Sequence, residues 1–341
     1  MTTPLLAVTM GDPAGVGPEI IGKAWLASRD RGPPFVVIGA LDLLASSPAS
    51  GELVLRRVAS PAEAADIFRE ALPVLDLPLQ AEVVAGRASA AHAPAVIRWI
   101  ETAAGLALSG SVSGLVTAPI AKAPLYEAGF KFPGHTEYLG ELTRAGDGPG
   151  PHGPVMMLTA GDLRTALVTI HEPLAAAPGL LSVEKIVQVG LITDRALRTD
   201  FGVPHPRLAV AGLNPHAGEG GAIGREETLI IGPACAELRR LGVDCTDPRP
   251  ADSLFHEEAR RSYDAVLCMY HDQALIPVKM LDFWGGVNVT LGLPIVRTSP
   301  DHGVAYDIAG RGLARPDSLI AALEMAASIV ANRAGVTERA A

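Results

Sequence analysis

Aromatic residues make up only 4% of this 341-residue chain, so a core has to be built chiefly from Ala, Val, Leu and Ile. Hydrophobic residues still reach 48%, which excludes general disorder. Cysteine is scarce: Cys235, Cys245 and Cys268 form no CxxC pair and are odd in number. That argues against a disulfide framework and points to a reducing cytoplasm. Positive charge is in deficit, 28 Lys and Arg against 37 Asp and Glu for a net charge of −9, and no basic block stands out. Nucleic acid and anionic membrane are therefore not expected as partners, and an anionic small substrate would need local cations against the overall field. No uninterrupted apolar stretch reaches the roughly 18–20 residues of a membrane helix. Met1–Gly11 lacks the basic segment and longer apolar run of a secretory signal. The expectation is a soluble cytoplasmic protein, long enough for two α/β domains or one large one.

What the chain does have is a recurrence of short apolar runs: Leu5–Met10, Phe35–Gly39, Gly114–Thr117, Thr165–Ile170, Leu208–Leu213, Ala265–Tyr270 and Val287–Thr290. Runs of this length suit strands covered on both faces. Between them, Ser182–Arg198 and Asp317–Asn332 carry apolar residues near helical spacing. Alternating strand and helix predicts an α/β fold with mainly parallel sheets and right-handed crossovers. Gly146–Pro154 (GDGPGPHGP) reads as a linker or a surface loop.

Three histidines occupy equivalent places. His171 directly follows Thr165–Ile170, His271 directly follows Ala265–Tyr270, and His216 comes three residues after Leu208–Leu213. Ligands of open parallel sheets bind outside the carboxyl ends of the strands, and three imidazoles delivered there are what an open three-His metal site requires. Each alone also reads as an ordinary loop residue. Such donors favour zinc or cobalt over magnesium. His92, His152, His205 and His256 lie in polar or Pro-rich context and read as solvated surface, and Cys268 reads as a buried small hydrophobe.

Other polar residues have equally divided readings. Gly11-Asp12-Pro13-Ala14-Gly15-Val16-Gly17-Pro18-Glu19 follows the first apolar run, but Ile20 stands where a dinucleotide fingerprint needs glycine. The segment is a ligand loop or a plain tight turn. Thr136, after Pro133-Gly134-His135, suits a helix N-cap. Lys279, between Val278 and Met280, either reaches the surface or works in a pocket. Asn288 and Arg297 lie inside apolar strands and need partners; for Arg297 these are a ligand phosphate or carboxylate, or a structural ion pair.

The segments TMGDPAGVGPEI (9–20), VTAPIAK (116–122), PGHTE (133–137), GLNPHAGEGG (212–221), PADSLF (250–255), MYHDQ (269–273), VNVTLGLPIVRTS (287–299) and DHGVAYDIAG (301–310) run almost end to end. Together they resemble the 4-hydroxythreonine-4-phosphate dehydrogenase family of vitamin B6 biosynthesis. Gly11–Glu19 and His302–Gly310 are also similar to motifs of the isocitrate and isopropylmalate dehydrogenases. The resemblance implies two α/β/α domains of isopropylmalate-dehydrogenase type with the active site in the cleft between them. The boundaries expected are 1–132 plus 300–341 for one domain and 133–299 for the other. It also implies a divalent metal on His171, His216 and His271, with zinc or cobalt ahead of magnesium. Substrate contacts are implied for His135, Thr136, Lys279, Asn288 and Arg297, and NAD or NADP faces His302, Gly303 and Asp307. A homodimer with a shared site is implied, His271 reaching across the interface. The chain departs from the family pattern at Ala222 and Arg225, and Phe283-Trp284-Gly285-Gly286 looks variable.

The reaction implied is oxidation of 4-phosphooxy-L-threonine at C3 to a β-keto acid, which decarboxylates to 3-amino-2-oxopropyl phosphate on the way to pyridoxal 5′-phosphate. Lys279 is the catalytic candidate for proton handling. The nearest rival is the same chemistry on D-threonate or D-erythronate 4-phosphate. A three-His metallohydrolase and a non-catalytic binder of phosphorylated metabolites are the rivals of other classes.

Overall fold

The computed structural model describes residues 4–146, 148 and 150–340. The chain divides into two compact units, Met1–Asp147 with Leu293–Ala331, and Gly148–Gly292 with Asn332–Ala341.

The first unit opens with β1 (Leu6–Thr9), α1 (Gly17–Ser28), β2 (Phe35–Gly39), α2 (Leu41–Ala45), β3 (Leu55–Val58), α3 (Ala64–Ile67) and β4 (Leu72–Asp76). It continues with α4 (Ala93–Leu108), β5 (Gly114–Thr117), α5 (Lys122–Glu127) and α6 (His135–Thr143). The second unit carries β6 (Val155–Ala160), β7 (Leu163–Leu167), α7 (Val183–Thr199), β8 (Arg207–Ala211), α8 (Gly232–Arg240), β9 (Asp244–Arg249), α9 (Glu257–Arg260), β10 (Ala265–Cys268), α10 (His271–Leu281) and β11 (Val287–Leu291). The chain then returns to the first unit with β12 (Arg297–Pro300) and ends in α11 (Asp317–Ala340).

All pairings within the first unit are parallel, in the order β3-β4-β2-β1-β5-β12. Strands β1, β2, β5 and β12 are buried along their whole length. The second unit has the order β11-β6-β7-β10-β8-β9, with β7, β10, β8 and β9 parallel and β6 antiparallel to both its neighbours. Its core joins Leu158, Leu163, Ala209 and Val266 with Cys268, whose burial pushes the thiol pKa up. The few rings are used economically: Trp25 and Trp99 are fully buried, and their indole N–H groups donate to the carbonyls of Phe68 and Leu77. No helix among the described residues is long and apolar enough to cross a membrane.

Two details differ from expectation. Residues 133–146 and 293–299 belong with the first unit, and 332–341 with the second. The reasons are local: Tyr138 Oη on α6 donates to Glu101 Oε1 on α4 at 2.7 Å, and β12 extends the sheet beside β5. The boundary near Gly146–Pro154 falls inside the expected linker, of which residues 147 and 149 lie outside the described residues. His92 is also not surface. It is 2% exposed, and its Nε2 donates to the Glu82 carbonyl.

Candidate active site: a buried cation and a strand-edge histidine set

In the first unit, β5 ends at Thr117, α6 begins at His135 and β12 begins at Arg297. Arg297 is 3% exposed, and its Nη2 donates to Thr117 Oγ1 at 2.7 Å. Burial pulls the guanidinium pKa down to about 10 against the opposing charge of Glu137, so the group stays cationic at neutral pH. His135 is half-buried as a residue, but its Nε2 is closed off from water and has no hydrogen-bond partner. Desolvation, and then the Arg297 charge, hold its pKa well below 6.5, so the ring is neutral at physiological pH. Gly134 is the N-cap of α6, which makes Thr136 the second helical residue rather than the cap. A Cβ on Gly134 would stand 3.3 Å from Glu137 Oε2 and 3.4 Å from Lys122 Cε, so these two side chains flank the same turn. The sequence reading singled out neither. A cation withdrawn from water beside a neutral imidazole is suited to a phosphate or carboxylate, which a guanidinium holds bidentately.

The loop after β1 is laced to residues 304–306. Val16 N donates to the Val304 carbonyl, and Tyr306 Oη donates to Asp12 Oδ2 at 2.7 Å. Asp12 is 4% exposed, and its Oδ1 accepts from Ala14 N. Burial, and then this bond, raise the Tyr306 phenol. Gly11 sits at φ +75, where a Cβ would lie 2.4 Å from the Pro119 carbonyl oxygen. His302, Gly303 and Asp307 are all exposed on the neighbouring segment, where His302 Nδ1 donates to the Gly303 carbonyl. The Asp12–Tyr306 bond that anchors this segment is 294 residues long in sequence and went unread there.

In the second unit, β7, β10 and β8 are consecutive parallel neighbours, and their carboxyl ends lead to His171, His271 and His216. The His171 and His271 ring centroids lie 5.7 Å apart. Two imidazoles on one tetrahedral ion, with metal–nitrogen distances near 2.0–2.1 Å, hold their centroids about 5 Å apart, closer than this pair stands. His271 Nδ1 donates to Asp272 Oδ1 at 2.7 Å, which makes Nε2 the nitrogen with a lone pair to offer a ligand. Thr169 Oγ1 donates to the Met269 carbonyl, and buried Gln273 joins Met269 N to the Gly212 carbonyl, both bonds at 2.7 Å, tying the three strand ends together. His216 is exposed on a loop with left-handed backbone (φ 52). Among the described residues, no three His, Cys, Asp or Glu side chains gather as a complete metal-holding set within one chain. Lys279 lies in the last turn of α10 with its Nζ 5.2 Å from the Phe283 ring centroid, a cation–π contact. Asn288 lies on β11, opposite Leu158, with a buried and unsatisfied Oδ1.

The model of the family described as pyridoxal phosphate biosynthetic protein PdxA matches residues 31–326. The chain belongs to this family. The 4-hydroxythreonine-4-phosphate dehydrogenase of Caulobacter vibrioides is 68% identical over 333 residues, spanning 98% of this chain and 99% of its own. The solved structure of the Klebsiella pneumoniae enzyme of that name matches with a TM-score of 0.83 and 40% identity, over 96% of this chain and 99% of its own. A terephthalate 1,2-cis-dihydrodiol dehydrogenase from Burkholderia xenovorans matches with a TM-score of 0.62 and 29% identity, over 95% and 98%. The family membership thus rests on nearly the full chain.

The buried imidazole predicts a pH effect. Below about pH 6.5 the unfolded chain binds a proton at residue 135 that the folded site refuses, so stability falls with pH from there downward. His135→Asn should flatten the urea-unfolding free energy between pH 6.5 and 5 relative to wild type. Equal slopes for the two proteins would contradict the assignment.

Proposed function

We propose that this chain is a 4-hydroxythreonine-4-phosphate dehydrogenase that oxidises 4-phosphooxy-L-threonine at C3 in pyridoxal 5′-phosphate biosynthesis. The observation that carries the reading is the buried Arg297 guanidinium, bonded to Thr117 beside a neutral imidazole, in a chain 68% identical end to end to an enzyme of that name. In this reading His135, Thr136, Lys279, Asn288 and Arg297 are the substrate contacts. Arg297 takes an anionic group of the substrate. His135, being neutral, offers its shielded Nε2 to a hydroxyl or amine rather than a second charge.

The reaction removes hydride from C3 and a proton from the C3 hydroxyl. The resulting ketone is β to the carboxylate and accepts the electron pair released when the C–C bond breaks and carbon dioxide leaves. NAD or NADP supplies the hydride acceptor, and the exposed segment of His302, Gly303 and Asp307 would hold it. Lys279 handles the proton, oriented by its contact with Phe283. A divalent ion on His171, His216 and His271 would supply Lewis acidity. Their all-imidazole donor set favours zinc or cobalt over magnesium.

A homodimer is part of the reading. Ile276, Met280, Phe283 and Trp284 form an exposed apolar face on and just after the helix that starts at His271, Met280 being 81% exposed. Such a face is one that self-association would cover. In this reading the site is shared, and His271, the first residue of that helix, serves the partner's ion. A cytoplasmic setting accords with three free, buried cysteines.

Turnover tests the reading. With metal restored, reduced nicotinamide should form with 4-phosphooxy-L-threonine at a kcat/KM above those for D-threonate and D-erythronate 4-phosphate. A higher value for a non-amino acid would transfer the assignment to that substrate, and no reduction with any of them would remove the dehydrogenase reading. Assembly has its own check. A mixture of His171→Ala and His271→Ala proteins, with subunit exchange shown by mass spectrometry, should recover about one quarter of wild-type activity, the statistical value for a two-fold dimer with a shared site. No recovery would place the two ligands in one chain and overturn the shared site.

A further inference from the structure

The loop after β8 holds an improbable backbone. His216, Ala217, Gly218, Glu219 and Gly220 all have positive φ, from 43 to 77, in succession. Three of the five carry a Cβ and disfavour that conformation, so something outside the loop must hold it. The candidate is Glu227, which is 5% exposed. Its Oε1 accepts from Leu213 N at 2.8 Å and Asn214 N at 2.7 Å, and its Oε2 accepts from Asn214 Nδ2 at 2.9 Å. Those donors belong to the two residues immediately before Pro215 and His216. The far side of the loop closes over the same group: a Cβ on Gly218 would stand 2.5 Å from Glu227 Oε2, so only glycine lets the chain approach. Glu226 adds an oxygen that accepts from Asn214 Nδ2 at 2.7 Å. Glu227 itself begins a π-helical turn, Glu227–Ile231, of a kind that recurs at functional sites.

We propose that the Glu227 carboxylate is a positioning residue for metal binding, acting through the backbone of Leu213 and Asn214 to set where His216 presents its imidazole. The proposal rests on the reading of His216 as a metal ligand. Glu227 does not touch the ion. It gathers the loop around one buried carboxylate, and the imidazole is carried at the loop's exposed side. Outer groups of this kind cost roughly 10- to 100-fold in metal affinity when removed.

The test is zinc titration by calorimetry on the metal-stripped full chain, with melting of the metal-free proteins measured in parallel. His216→Ala should weaken zinc binding, and Glu227→Gln, close in shape, should weaken it about 10- to 100-fold. The double variant should bind no more weakly than His216→Ala alone, because Glu227 has nothing left to position. If His216→Ala binds zinc like wild type, the ligand reading itself fails. If His216→Ala weakens binding while Glu227→Gln does not, or if the two losses add in the double variant, the positioning role is overturned and the ligand reading stands. Should Glu227→Gln not fold, Asn214→Ala removes the side-chain donor and should shift zinc affinity in the same direction. Failure of both variants to fold would also overturn the proposal, since the carboxylate would then be a requirement of the fold.

Discussion

Arg297 carries its charge into the interior at the first residue of β12, with 3% of its surface left to solvent. Its Nη2 donates to a neutral hydroxyl, Thr117 Oγ1, and the Glu137 charge offsets its desolvation only in part, since the guanidinium pKa still falls. Taking a cation out of water costs stability that the groups around it have to offset. Much of the first unit follows from that constraint. β5 ends at Thr117, which supplies the acceptor, and α6 starts at His135, whose ring stays neutral because burial, and then the same cation, disfavours its charge. In a fold with a net charge of −9, such a buried cation is a local source of positive potential.

The second unit meets a different constraint. Parallel strands bring their carboxyl ends to one edge, so β7, β10 and β8 deliver His171, His271 and His216 to neighbouring loops with no local spacing motif. Proximity then depends on bonds between strand ends. Thr169 and Gln273 hold the β7 and β10 ends and the residue after β8, while the left-handed loop of His216 is held from Glu227. Local backbone preference gives way there to the bonds that the buried carboxylate accepts.

Each apolar run named in the sequence overlaps a strand; six lie in parallel ladders, where burial on both faces demands continuous apolarity, and Val287–Thr290 lies on β11, antiparallel to β6. Among the strands not read, β3 reads Leu-Arg-Arg-Val and β9 reads Asp-Cys-Thr-Asp-Pro-Arg, and both are edge strands, where polar side chains meet water. β4 and β6 are apolar and largely buried and were passed over all the same. β12 was marked by Arg297 inside an apolar run, a local signal that the structure explains. The three histidines were legible because each follows a readable strand. The side-by-side placement of His171 and His271 was not, since they are 100 residues apart and brought together only by β7–β10 pairing. Asp12–Tyr306, Glu227 and the burial of His92 were hidden for the same reason: their partners are chosen by the tertiary fold, not by spacing.

The proposal that Arg297 holds an anionic group of the substrate is the one on which the reading of the first unit turns. Thermal melting of wild type and Arg297→Met, each with and without 4-phosphooxy-L-threonine, separates a ligand-holding role from a purely structural one, because a bound ligand stabilises only the protein that holds it. The substrate should raise the melting temperature of wild type and leave that of Arg297→Met nearly unchanged, whatever the two proteins' ligand-free stabilities. An equal rise in both would contradict the proposal.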